Sequence, residues 1–289
     1  MTPAEAGPVI TNSIGMKLVH IPAGSFVMGS SEAEYGRRAH EGPQHKVTIT
    51  RPFYLGVFEV TQEEYEELMG INPSWFSLQL DLNQKRVPNE FDGLSDLLDK
   101  TLNRALAGLH AELAGLDTRR FPIENVSWTE AVGFCRRLSA RPQEKRSNRV
   151  YHLPTEAEWE FACRAGAHAA WSSWPFNYGG GLEYHRDENP FLQRTCLVGS
   201  YPPNAFGLYD MHGNVREWCT DWYDEAYYGK SPKRNPTGPK KGQRRVARGG
   251  GWSGVAEACR ATARLGLLLG SHYSDLGFRV SMRLVPSTK

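Results

Sequence analysis

Hydrophobic and polar positions alternate over the first sixty residues. Within His45–Ile49, Val47 and Ile49 stand against polar neighbours, the two-residue period of a half-buried strand. Lys17–Ile21 and Ser25–Met28 flank the turn Pro22-Ala23-Gly24 and predict a hairpin, and Phe53–Val60 predicts a further strand. Residues 1–15 are polar and predict a loose arm, and residues 30–45 a polar loop. The period lengthens to that of a helix after Thr61, Ser127 and Thr155. Each hydroxyl precedes a glutamate by three positions (Glu64, Glu130, Glu158), the spacing of a capping box. The first helix is expected to stop at Gly70 and the third near Gly166. The second is expected to bury Ala131, Val132, Phe134, Cys135 and Leu138.

Between Phe76 and Phe121 the texture changes. Leu94, Leu97, Leu98, Leu102, Leu106, Leu109 and Leu113 recur at three- and four-residue steps, which predicts one amphipathic helix of about six turns within an insert over about residues 77–120. Its apolar face either packs on its own domain or docks a partner. From Tyr178 onward turns dominate, with strands expected at Val246–Arg248 and Phe278–Val285. Periodicity alone therefore yields a mixed α+β chain.

Composition narrows the class. A 40% hydrophobic fraction supports a sizeable core, and a net charge of only +2 supplies no global field for nucleic acid or a membrane surface. Plentiful Gly (29), Pro (18) and Trp (8) point to a loop-rich fold pinned by aromatic anchors. No apolar run reaches the roughly 18 residues of a membrane span, and the first residues lack the basic and apolar regions of a signal peptide. The five cysteines are widely spaced and form no Cys-x-x-Cys pair, so a reducing, cytoplasmic setting is expected.

Several long motifs then follow in order: Ile21–Gly29, Glu59-Val60-Thr61, Pro122–Trp128, Leu153–Glu160, Gly207–Trp218, Arg248–Gly254 and Gly277-Phe278-Arg279. Together they resemble the formylglycine-generating enzyme (sulfatase-modifying factor) family over about Asn12 to Leu284. The resemblance implies a single compact α+β domain with a C-type-lectin-like core, loop-rich, carrying the helical insert. It also implies where chemistry belongs. The family's catalytic segment reads Arg-Gly-Gly-Ser-aromatic-x-Cys, with a second Cys five residues on, and the two thiolates hold copper(I). Here the serine position is Gly251, the first cysteine position is Gly254, and only Cys259 is filled. One thiolate does not make the linear two-sulfur site that suits soft Cu(I), so copper is not expected.

Cys259 is either a surviving catalytic thiol, with Arg260 and Arg264 available to lower its pKa, or a small buried hydrophobe. The resemblance places a structural calcium at Asn214 and Glu217, with the main-chain oxygen of Val215; the bland alternative is an Asn-capped turn. A second calcium site at Asn189 is expected to be lost, because the loop after it is shortened to Phe191–Cys196. Cys135 and Cys163 match positions that are bridged in secreted members, but their partner positions are Val280 and Arg264, so both thiols are expected free. The family's sulfoxide synthases take iron ligands from a separate helical domain, and His40 and His45 lie in a loop at the wrong spacing for that role.

Other candidates are weaker. The basic run Lys230–Arg248 is expected to be a solvated loop, since no aromatic is interleaved for base stacking. His185, Asp187, Glu188 and His212 have no metal-ligand spacing, and surface or turn roles are expected. Trp171, Trp174, Phe176, Tyr178 and Tyr184 either line a ligand groove or anchor loops. The reading that follows is a recognition module, binding a peptide or protein partner in a groove between Trp171–Tyr184 and Trp252–Ser274 that includes His272. The Leu94–Leu113 helix is a second candidate contact. The alternative is an oxidase of the same family acting through Cys259 on a cysteine or small molecule.

Overall fold

The computed structural model describes residues 7–77, 108, 111, 113–167, 177–178 and 192–286. In chain order the elements are β1 (Val9–Thr11), β2 (Lys17–Ile21), β3 (Gly24–Met28), β4 (His45–Ile49), β5 (Phe53–Gly56), α1 (Gln62–Met69), α2 (Trp128–Ala140), α3 (Pro142–Arg146), β6 (Arg149–His152), α4 (Glu156–Arg164), β7 (Arg216–Trp222), β8 (Arg244–Arg248), β9 (Leu265–Leu268), β10 (Leu276–Gly277) and β11 (Ser281–Leu284). Five strands form an antiparallel sheet in the order β1-β2-β5-β11-β6. Four form a second sheet, β10-β7-β8-β9, in which β10 alone runs parallel to its neighbour. β3 and β4 pair as a separate ribbon.

The strand positions follow the alternation, but the pairing differs from the expected hairpin. β2 pairs with β1 and β5, while β3 leaves that sheet to pair with β4. Pro22 has no N–H for a ladder, and Gly24 lets the chain pass Phe161, whose ring a Cβ would meet at 2.8 Å. The expected loose arm is also partly ordered. Val9–Thr11 forms an edge strand, and Asn12 Oδ1 accepts the N–H groups of Ile14 and Met16, both at 3.0 Å. Of the helix expected over Leu94–Leu113, only residues 108, 111 and 113 lie among the described residues, and all three are helical. Leu113 is buried against Phe76 and Phe121, with Trp252 packed on the same cluster.

All three capping boxes form. The Thr61, Ser127 and Thr155 hydroxyls accept from the amides of Glu64, Glu130 and Glu158, whose carboxylates accept from the amides of the three capping residues. α2 buries the expected face, except that Val132 is only half-buried at its edge. Tyr65 of α1 stacks on Phe134 of α2 at 5.7 Å, and Phe278 meets Phe134 edge-on at 5.4 Å.

α4 is the unusual element. Every one of its residues is buried, including Glu156, Glu158 and Glu160. A buried carboxylate needs a partner, and each finds one. Glu156 receives a two-pronged contact from Arg264, both bonds 2.7 Å. Glu158 caps its own helix and pairs with Arg283. Glu160 binds Arg164 at 2.9 Å and Arg248 at 2.5 Å, and also accepts the Gly29 N–H. The terminal nitrogens of Arg248 also donate to the carbonyls of Ala261, Thr262 and Ala263. A further pair, Arg279 with Glu217, is fully buried and uses both prongs at 2.7 Å. Truncating Arg279→Ala strands a buried carboxylate and is expected to remove about 3–5 kcal/mol of stability in urea unfolding. Arg141→Ala, which breaks the exposed pair with Glu67, is expected to cost less than about 1 kcal/mol. Equal effects would contradict this account of the interior.

Candidate functional site

Three glycines follow β8, and each has a local reason. Gly249 and Gly250 have φ of 93° and 67°, in the left-handed region open to glycine. A Cβ at Gly250 would lie 2.4 Å from Cys259 Sγ. At Gly251 it would lie 2.9 Å from Asp275 Cβ and 3.0 Å from the Asp275 carbonyl oxygen. Gly254 is different. Its nearest neighbour would be the Gly251 oxygen at 3.4 Å, followed by Ala258 Cβ and Arg216 Nη2 at 3.7 Å. A side chain is therefore sterically admissible at 254, whereas one at 251 collides with Asp275.

Cys259 closes the short 3-10 turn Ala256–Cys259 and is fully buried. Burial pushes its thiol up to about 12, against the lowering influence of Arg216 and the Gly251 N–H. Arg260 and Arg264, expected to activate it, are committed elsewhere. Arg260 binds Glu34 and Glu41, and Arg264 binds Glu156. All five cysteines of the chain are free and buried. His212, expected in a surface or turn role, sits in a bend and is part-buried. Its Nδ1 lies 2.8 Å from the Cys259 carbonyl oxygen and its Nε2 lies 3.6 Å from Cys163 Sγ.

Periodicity and motif spacing missed the neighbours of this thiol. Arg216 pairs with the buried Asp275, which also accepts the Ser253 hydroxyl. No spacing rule links positions 216, 253 and 275; β10 joins them by running parallel to β7, which brings the Asp275 oxygen to the Arg216 N–H at 2.7 Å. A copper(I) dithiolate does not fit these residues. They offer one sealed thiol, and the flank at 254 holds a guanidinium.

Of the expected groove, Trp171, Trp174, Phe176 and Tyr184 lie outside the described residues, as do His185, Asp187, Glu188 and Asn189. Trp252 stands edge-on to Phe76 at 5.2 Å, and its indole N–H donates to the Ser274 oxygen at 2.9 Å. His272 Nε2 lies 2.9 Å from the Glu130 carboxylate at the start of α2. The basic stretch 230–248 is the exposed loop expected up to residue 243, and departs from that only at its end. Its last residues form β8, Arg248 is buried, and Arg245 is sandwiched between the Trp128 and Trp222 rings at 3.9 and 3.5 Å.

A family model for the sulfatase-modifying factor enzyme 1-like domain matches residues 6–284. The chain belongs to that family. It is 30% identical to the formylglycine-generating enzyme of Streptomyces coelicolor over 96% of this chain and 92% of that one. It is 34% identical to the serine/threonine-protein kinase pkn1 of Chlamydia pneumoniae, over 96% of this chain but only 39% of that protein's length. A bovine relative, 27% identical over 93% of this chain and 88% of its own, is named inactive Cα-formylglycine-generating enzyme 2. Among solved structures, PvdO from Pseudomonas aeruginosa superposes with a TM-score of 0.71 at 26% identity, covering 97% of this chain and 99% of that one. The α+β fold of few helices and many strands is thus that of the sulfatase-modifying factor family, with its C-type-lectin-like character.

Within that family frame, the segment expected to hold calcium has other partners here. Asn214 Oδ1 accepts the Cys196 N–H at 3.1 Å, and its Nδ2 donates to Glu59 at 2.9 Å. Both Glu217 oxygens are taken by Arg279, and one also accepts the Trp159 N–H at 2.8 Å. These donors do not fit a calcium ion unless Arg279 is displaced. Adding millimolar calcium to chelator-treated protein is expected to leave the melting temperature unchanged. A saturable rise of several degrees would show that Glu217 exchanges Arg279 for metal.

Glu59, Asp210 and Glu217 share the single guanidinium of Arg279. Burial, reinforced by Asp210 and Glu217, raises Glu59 well above the ordinary carboxyl range. Asp210 is pushed up from 3.8 to about 6, chiefly by burial, and Gly199 N–H and Arg279 offset this only in part. A carboxyl whose folded pKa is raised is stabilising while protonated. Its contribution is full below its unfolded pKa and is lost as pH rises through the folded value. Unfolding free energy is therefore expected to fall by about 2 kcal/mol between pH 4 and 7 through Asp210. Asp210→Asn, whose residue tolerates the left-handed φ of 59° at this position, is expected to flatten that slope. An unaltered slope would rule out Asp210 as its source.

Proposed function

We propose that this chain is a non-catalytic recognition module on the sulfatase-modifying factor scaffold, which binds a peptide or protein partner beside Cys259 without oxidising it. One observation carries the reading: the Cys259 thiol is alone and sealed, with the Arg216 guanidinium on the flank where a second thiol would stand. Burial keeps the thiol protonated at neutral pH, and a protonated thiol is a poor nucleophile and a poor copper ligand. The bovine relative named as inactive shows that a family member can carry that description over most of its length. The partner is taken up between the segment of Trp171, Trp174 and Tyr184 and the segment Trp252–Ser274, with the Leu94–Leu113 helix as a second contact. Free cysteines throughout suit a reducing, cytoplasmic setting. Nucleic acid is not the partner proposed, since the chain's net charge is only +2 and the aromatic-flanked Arg245 is already stacked.

The alternative, an oxidase working through Cys259, draws on the Gly251 N–H and Arg216, which both lower the thiol's pKa. Burial outweighs them. Anaerobic Cu(I) titration separates the two readings. The wild type is expected to show only weak, non-saturating uptake. Gly254→Cys, which the backbone accepts, is expected to fold normally and to gain a stoichiometric Cu(I) site. Gly251→Ser is expected to lose about 1–3 kcal/mol of stability from overpacking against Asp275. Tight stoichiometric copper in the wild type, abolished by Cys259→Ala, would reverse the proposal.

A further inference from the structure

We infer that the cavity bounded by the glycine run and the Val255–Arg260 segment binds a ligand carrying a carboxylate and a cationic group together, either a free zwitterion or two charged side chains of a peptide. The inference goes beyond the preceding reading, because it holds whether or not Cys259 is reactive.

The cavity measures about 460 Å³, within the usual range for small-molecule sites and too large for a lone inorganic anion to fill. Five arginines line it, and their roles differ. Arg260 and Arg264 are saturated by Glu34, Glu41 and Glu156. Arg248 is held by Glu160 and three carbonyls, yet its buried Nε has no acceptor among the described residues. Arg216 gives one side of its fork to Asp275, and its Nη2 faces position 254.

Arg38 and Glu257 line the same cavity and form no ion pair, either with each other or with any described residue. Arg38 is exposed at the rim and Glu257 is half-buried. Val255 and Ala258 give the cavity apolar lining, and Val255 is 48% exposed. An unpaired cation and an unpaired anion on one partly apolar cavity are complementary to a ligand with both charges on a short apolar spacer. Its carboxylate would meet Arg38 as a charge-assisted contact. Its cation would meet Glu257. A singly charged ligand would satisfy one of the two groups and leave the other as it is.

Isothermal titration of the full chain tests this with defined probes. These are the zwitterion Ala-Ala, its N-acetyl form (anion only), its C-terminal amide (cation only), and acetyl-Asp-Ala-Lys-amide, whose charges are on side chains. Ala-Ala or the blocked tripeptide is expected to bind at least about tenfold tighter than either singly charged dipeptide. Ala-Ala binding identifies a free zwitterion as the source, and binding of the tripeptide identifies an internal peptide segment. Arg38→Gln is expected to abolish the advantage of the carboxylate, and Glu257→Gln that of the cation. Both residues are solvent-accessible, and an unchanged melting temperature checks that the variants fold. The inference is overturned if no probe binds, if singly charged probes bind as well as doubly charged ones, or if binding survives the double substitution. The copper titration is unaffected by any of these outcomes, so the two readings fail separately.

Discussion

The structure depends on neutralising carboxylates inside helix α4. Glu156, Glu158 and Glu160 project from a helix that has no solvent-facing side. Charges in that position are tolerated only where cations meet them. Arg248 of β8 and Arg264, just before β9, supply two of those cations, so α4 is tied to the second sheet through ion pairs as well as apolar contact. The same guanidinium of Arg248 gathers the carbonyls of residues 261–263. The glycine run and Cys259 are strung between these anchored points. Their geometry is therefore inherited from the charge network, which exists independently of any reaction.

That inheritance explains why the glycine run keeps its shape whatever chemistry the segment carries. Gly249 and Gly250 are required by backbone conformation and by contact with Cys259 itself. Gly251 packs on Asp275, which is held in turn by Arg216 and Ser253. Only Gly254 is unconstrained by its neighbours. The motif that reads as chemistry is here largely a packing solution, and one position in it is free to vary.

Local signals were legible where they are local in origin. The capping boxes at Thr61, Ser127 and Thr155 name their helices because hydroxyl and carboxylate are three residues apart. The alternation at His45–Ile49 names its strand. Pairing was not legible. Pro22-Ala23-Gly24 looks like a hairpin turn, yet it carries the chain from one sheet to another, because β2 pairs with β1 and β5 while β3 pairs with β4. Only the end of the basic stretch was illegible, for a related reason. Charge count cannot reveal that Arg248 meets Glu160, 88 positions earlier, or that two tryptophans flank Arg245. At the candidate site, the solitary Cys259 and the altered 251 and 254 positions were readable from the motif. Arg216 and Asp275 were not, since the parallel β7–β10 pair that joins them leaves no periodic trace.

The central claim is that a buried, solitary thiol beside a fixed guanidinium does not activate oxygen. Oxygen consumption by the purified chain, supplied with copper and a cysteine-containing peptide, tests it most directly. The expected rate is that of copper and peptide alone, unchanged by Cys259→Ala. A rate well above that background, lost in the Cys259→Ala variant, would contradict the claim.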